Sequence, residues 1–283
     1  MNEVFDRKRF GALARAALVL TVAIGLTSSL ALAKDKGADG QFSKRTSPHF
    51  VLYQDVDIDR TSGFRGSRRF EQQILGVLES AYDRLDALLG IRPSRPITVV
   101  IYDPQIFDER FAGLFRFPAA GFYGDSIHIR GEAVVTDRLV AVLHHELVHA
   151  ALDAEAPSLV LPAWLNEGTA EWFEARALGQ RRIGEQQRAW LGARARNGTL
   201  PALVELSTPS FGHLPPGAAG AAYLQSYAFV DFLVRNHSER RLKDLFEAYL
   251  RIGILDRAIR RSYRDDLPRL EKNFAAEMSG SAR

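Results

Sequence analysis

A chain of 283 residues with 46% hydrophobic and 25% charged residues has the composition of a soluble globular protein, which excludes disorder and a collagen-like repeat. The formal net charge of +3 falls close to neutrality once Arg7, Lys8, Arg9 and Arg15 at the amino terminus are set aside, so the charge balance predicts no nucleic-acid partner and no pull toward an acidic membrane surface. There is no cysteine, so disulfides, a thiol nucleophile and cysteine-ligated metal are excluded, and any bound metal must rest on histidines and carboxylates.

Arg7, Lys8 and Arg9 precede an apolar run over residues 16–26, and the small-residue ending Ala31-Leu32-Ala33 follows it. This pattern predicts a secretory signal peptide over residues 1–33, cut after Ala33, and a secreted or periplasmic mature protein. The alternative is an uncleaved membrane anchor formed by residues 16–33, because no charge falls between Arg15 and Lys34. No later segment has the length and apolarity of a span, so cleavage would leave no stable one. Residues 34–47 are polar and predict a flexible lead-in, with structure starting at Pro48. A strand is expected over 50–53. A helix follows over 70–89, with Ile74, Leu78, Ala81, Leu85 and Leu88 at helical spacing and Gly90 closing it. Strands are expected over 97–102 and 121–130, the latter at a sheet edge. Beyond Thr136 the pattern is almost wholly helical: 136–153, 162–178, 183–196, 220–236, 238–250 and 265–278, with a Pro/Gly-rich loop over 209–220. The order predicts an α+β amino-terminal lobe over 48–160 and a mainly helical carboxy-terminal lobe over 161–283.

The helix beginning near Thr136 carries His145-Glu146-Leu147-Val148-His149, an H-E-x-x-H motif. Histidines four apart project from one helix face, so both imidazoles reach one ion, and Glu146 sits beside that face. Leu139, Val142, Leu143, Leu147, Val148 and Ala151 make the helix apolar nearly all round, which predicts a buried central helix whose polar groups need partners. A chance match of five residues is the bland alternative, and a third ligand weighs against it. Glu167 lies eighteen positions past His149, in Trp164-Leu165-Asn166-Glu167-Gly168-Thr169-Ala170-Glu171. Pro162 fits the first turn of that second helix, and Glu167 and Glu171 share a face of it.

These residues resemble the gluzincin zinc metallopeptidases, and the strand and helix order resembles that of small peptidase MA-like proteins. The resemblance implies a zincin-like fold and one zinc ion per chain held by His145, His149 and Glu167. It implies Glu146 as the general base for a zinc-activated water, and Glu171 as the acid that orients the first histidine. By the same likeness Tyr223 is the first candidate for stabilising the oxyanion, with Tyr227 one turn on and His213 in the preceding loop as an assisting group. Core packing of both tyrosines is the equally simple alternative. Gly121, Phe122 and Tyr123 fall where that family places the strand pairing with substrate backbone. No glutamate stands there to hold a free amine. The implied activity is therefore endopeptidase-like, on a peptide or protein substrate, with a catalytically inactive, zinc-stabilised binding module of the same fold as the alternative. His144 turns away from His145, and His49, His128 and His237 have no ligand spacing, so all four are expected to pack. The arginines at 60, 65, 68 and 69 and at 257, 260, 261 and 264 are expected to be solvated faces.

Overall fold

Two short β-branched and apolar segments set the frame, because each alternates a buried with a half-buried position. They are β2 (Phe50–Asp55) and β3 (Ile97–Tyr102), parallel neighbours in register from Phe50 opposite Ile97 to Asp55 opposite Tyr102. In the computed structural model, which describes residues 40–58, 66–114 and 119–281, they form the centre of a five-stranded sheet. The proposed signal peptide, the alternative anchor at 16–33, Arg60 and Arg65 lie outside the described residues. Among the described residues no helix is long and apolar enough to cross a membrane.

The sheet order is β1-β2-β3-β5-β4, with β1 (Ser43–Thr46) antiparallel to β2, β5 (Ile127–Arg130) parallel to β3, and β4 (Gly121–Tyr123) antiparallel to β5 at the far edge. Two expectations change here. Structure begins inside the expected lead-in, because Ser43 and Arg45 of β1 reach the Glu71 carboxylate on the next helix while the backbone pairs with β2. The single strand expected over 121–130 is a hairpin: Gly124 donates its N–H to the Ser126 carbonyl at 3.0 Å, so the polar Gly124-Asp125-Ser126 segment turns the chain back.

Helix α1 (Gly66–Leu89) buries Ile74, Leu78, Ala81 and Leu85 at its helical spacing and packs on β2. A short α2 (Pro104–Arg110), capped by Asp103, follows β3 and lies near β5. The long α3 (Asp137–Glu155) starts at Thr136, whose hydroxyl accepts from the Leu139 N–H. It contacts α1, β4 and β5, and Leu143, Leu147, Val148 and Ala151 are completely buried, as its apolar circumference predicts.

The rest is helical: α4 (Ala163–Ala177), α5 (Glu185–Arg196), α6 (Pro216–His237), α7 (Glu239–Ile252), α8 (Leu255–Tyr263) and α9 (Leu267–Ser279). The expected loop over 209–220 is shorter than foreseen, since Pro216 serves as the first helical residue of α6. Helix α8 was not expected; it is a short amphipathic segment set off by Gly253 and Arg264, both left-handed with φ of 70° and 55°. Buried apolar residues form one continuous cluster running from the sheet through α3, α4 and α6 to α9, the zincin-like α+β arrangement foreseen.

The β1–α1 junction rests on Glu71, only 3% exposed. Burial alone would raise its pKa, but hydrogen bonds from Ser43, Arg45 and Gln54 outweigh that and hold the carboxyl below its ordinary value of 4.5. A group depressed in the folded state contributes stability above its unfolded pKa and loses it as pH falls through the folded one. Glu71→Ala should therefore cost about 1–3 kcal/mol near neutrality, from the donors left unpaired. The difference from the parent should shrink below pH 4.5, as urea unfolding across that range would measure.

Candidate metal centre

Helices α3 and α4 lie against each other, and their facing turns bring the motif residues together. His145 and His149 present ring centroids 5.0 Å apart, one helical turn along α3. Glu167 on α4 places Oε2 at 3.5 Å from His145 Nε2 and 3.3 Å from His149 Nε2. A tetrahedral zinc with bonds of about 2.1 Å sets its ligands about 3.4 Å apart, which these separations match. The donor atoms of the three residues all lie within 4.8 Å of one another.

Each imidazole is held from behind. His145 Nδ1 lies 3.0 Å from Glu174 Oε2, and His149 Nδ1 lies 3.0 Å from Asn166 Oδ1. Both acceptors take a proton from Nδ1, so in its neutral form each ring keeps the Nε2 lone pair, on the side facing Glu167, for an ion. Sequence reasoning gave the role behind His145 to Glu171, and here the geometry differs: Glu174, three residues further on, makes that bond. Glu171 remains beside it, with a carboxylate oxygen within 4.8 Å of a His145 nitrogen. The Asn166 contact was not foreseen, although its place next to Glu167 was visible. On a helix the residue before a ligand points sideways, and only the crossing of α3 over α4 turns that direction toward His149.

The electrostatics of the cluster call for a cation. Glu146, Glu167, Glu171 and Glu174 surround two imidazoles. Burial would raise the Glu167 carboxyl, yet His149 and His145 outweigh it and hold it well below the usual range. Burial would lower both histidines, but Glu167, joined at His145 by Glu174, raises them. Glu171 is pushed up to about 6 by its burial, with Glu174 and Glu167 adding and His145 opposing. Glu146 is 7% exposed and its carboxyl is raised, first by burial, with the two histidines pulling the other way. A divalent ion among these donors would neutralise the surplus carboxylate charge and take the Nε2 lone pairs, so the residues present fit zinc.

Around the cluster, Tyr223 on α6 has Glu167, Glu171 and Glu146 as its charged neighbours and stacks edge-on against Phe211 at 5.3 Å. Tyr227 is 5% exposed, with Asp231 ahead of Glu171 among the charges around it, and its hydroxyl has no hydrogen-bond partner among the described residues. Of the two, Tyr223 has the carboxylates of the cluster as its charged neighbours, and Tyr227 belongs to the core. His213 is exposed on the turn before α6. β4 is the edge strand, as expected, and runs beside α3: a Cβ on Gly121 would stand 2.7 Å from Val142 Cγ1, and Tyr123 donates its hydroxyl to Asp153 at 2.9 Å. The other histidines pack, His144 against the Val140 carbonyl at 2.8 Å and His128 stacked on Phe122 at 4.7 Å. His49 stacks on Tyr82 at 3.9 Å, and His237 meets the Tyr263 ring at 5.1 Å.

A sequence model of the Peptidase MA superfamily matches residues 78–280, which takes in α3, α4 and every helix after them. The chain belongs to the peptidase MA superfamily. No curated protein matches it. Peptidase MA proteins are generally zinc-dependent, and in this member the His145, His149 and Glu167 grouping is where such an ion fits. For a peptidase MA chain the supports behind the ligands matter nearly as much as the ligands. Glu174→Ala should weaken zinc binding about 10–100-fold while leaving one ion per chain at saturation, read by competition with a chromophoric chelator. Glu171→Ala should weaken it less, since among the described residues neither ring donates a hydrogen bond to Glu171.

Proposed function

We propose that this chain is an exported, zinc-dependent endopeptidase. The observation that carries the reading is the meeting of two conditions at one place: three donors at tetrahedral spacing, and Glu146 beside them with no hydrogen bond from a side chain among the described residues. Three protein ligands leave a coordination position for water, the arrangement of a catalytic rather than a structural site. When bound, the ion polarises the scissile carbonyl and acidifies a water. Glu146, held in a buried setting that favours its protonated form more than water would, takes the water proton and returns it to the leaving amine. Tyr223 supplies an O–H toward the developing oxyanion, with His213 as a second donor from the turn before α6. β4 offers its free edge to an extended substrate, giving sequence-tolerant binding through main-chain hydrogen bonds.

The endopeptidase choice rests on β4 itself, where Gly121, Phe122 and Tyr123 provide no carboxylate for a substrate's free amine. The test is hydrolysis of casein and of an N-acetylated peptide library by the purified protein. Cleavage at internal bonds, abolished by chelator and restored by zinc, is the expected result. Bound zinc without any cleavage would instead identify a zinc-stabilised binding module. Export is checked separately, by an intact mass that begins at Lys34.

A further inference from the structure

The edge strand β4 is fixed to α3 at both ends. At one end Gly121 lies so close that an added Cβ would stand 2.7 Å from Val142 Cγ1, and at the other the Tyr123 hydroxyl donates to Asp153 Oδ2 at 2.9 Å. Glu146, His149 and Asp153 follow Val142 on α3 by four, seven and eleven residues, so at about 100° per residue all four fall within about 60° around the helix axis. The proposed base and one proposed ligand therefore share the stripe to which the strand is fixed. We propose that Asp153 is a positioning residue that, through the Tyr123 hydroxyl, holds β4 in place for the backbone of an extended substrate. This rests on the peptidase reading above, in which β4 pairs with substrate.

The ladder shows which groups need holding. Arg130 donates its N–H to the Ala120 carbonyl at 2.9 Å and Gly124 donates to the Ser126 carbonyl at 3.0 Å, on either side of the Phe122 and His128 pair. Bonded and non-bonded pairs alternate along an antiparallel ladder, so Phe122 turns its N–H and C=O to β5, whereas Gly121 and Tyr123 turn theirs to the free edge. The two residues anchored on α3 are thus the two whose backbone would pair with a substrate. A strand of three residues with one strand neighbour among the described residues is marginal by itself. An edge that first had to be ordered would bind more weakly by the cost of that ordering.

The setting of Asp153 agrees with this role. It stands in the last turn of α3, which carries no basic residue and where the helix carbonyls disfavour a carboxylate. Local helix stability does not call for an acid there, whereas the Tyr123 hydroxyl does. Burial, and after it the bond to Asp153, raises the Tyr123 phenol above its ordinary value of 10, so Tyr123 remains the donor and Asp153 the acceptor at neutral pH.

The experiment compares the full-length zinc-loaded parent with Asp153→Ala, Tyr123→Phe, Asp153→Asn and the Tyr123→Phe/Asp153→Ala double variant. Hydrogen exchange read by mass spectrometry should show the Phe122 amide exchanging about tenfold faster in Asp153→Ala and Tyr123→Phe. On an internally quenched peptide the same two variants should raise KM about five- to tenfold with kcat within about twofold, the signature of lost uniform binding. The double variant should be no worse than either single one, because both remove one contact. Asp153→Asn keeps an acceptor at Oδ1 and should recover most of both losses, which separates the hydrogen bond from the charge. Unchanged exchange at Phe122 in Asp153→Ala and Tyr123→Phe would overturn the tether whether or not the chain cleaves peptides. Faster exchange with an unaltered KM would overturn its part in substrate binding. A zinc-loaded parent that cleaves nothing counts against the peptidase reading instead; the comparison then passes to binding of the same peptide by fluorescence anisotropy, where weaker binding by Asp153→Ala supports the tether's role and equal binding overturns it.

Discussion

Glu146→Gln is expected to lower peptide hydrolysis by about 10²–10⁴-fold while the protein still carries one zinc ion. The size of the effect follows from the position of the carboxylate. Glu146 lies on α3 between the two histidines in sequence, yet points beside their shared face, so it contributes no donor to the grouping of His145, His149 and Glu167. Replacing it removes a proton acceptor without removing a ligand. The amide is nearly isosteric, and no side chain among those described hydrogen-bonds the carboxylate, so no partner is stranded by the change. Burial already costs the ionised form, so the neutral amide should leave the unfolding midpoint equal to or above that of the parent. Metal analysis by mass spectrometry and a fluorogenic peptide assay on the same preparation separate the two quantities. A variant that retained full turnover would remove Glu146 from the proton path, and one that lost zinc would show that the carboxylate supports the ion.

The parts of this site that were legible in the sequence are those fixed by one helix alone. His145 and His149 share a face whatever α3 packs against, and Glu167 follows on the next helix after a short connection. What could not be read is set by how the two helices cross. Positions 171 and 174 of α4 differ by three residues, about 60° around the axis, and either could reach a histidine ring at some crossing angle. The actual angle brings Glu174 to His145 Nδ1 and Asn166 to His149 Nδ1. The strands show the same division. β2 and β3 bury alternate apolar side chains and announced themselves, while β1 is held by polar side chains reaching Glu71 and left no apolar pattern to find. Helix α8 was hidden for another reason: its nine residues between two left-handed stops are too few for periodicity to stand out from an arginine-rich surface.

The packing of α4 against α6 depends on Gly168, and Gly168→Ala should destabilise the protein by about 1–3 kcal/mol net and impair hydrolysis with it. Gly168 follows Glu167, the proposed ligand, on α4 and packs directly against the backbone of α6. A Cβ there would stand 2.5 Å from the Ser226 carbonyl oxygen and 2.7 Å from its carbon. Those atoms are backbone in the middle of a helix and cannot rotate away, so α6 must shift or α4 must turn. In an unhindered helix the same substitution would stabilise by roughly 0.5–1 kcal/mol, because alanine loses less backbone freedom on folding. Gly76, exposed within α1 with nothing within 4 Å of its would-be Cβ, provides that control, and Gly76→Ala should raise the unfolding midpoint. The opposite signs at two helical glycines isolate the contact from propensity. The functional loss follows from position: Glu167 precedes Gly168 on α4, and Tyr223 lies one turn before Ser226 on α6, so separating the helices moves the proposed ligand away from the proposed oxyanion donor. Zinc affinity and turnover should therefore fall together in Gly168→Ala, whereas Glu146→Gln separates them. An alanine variant with parental stability would mean that α4 and α6 can part without cost at Gly168.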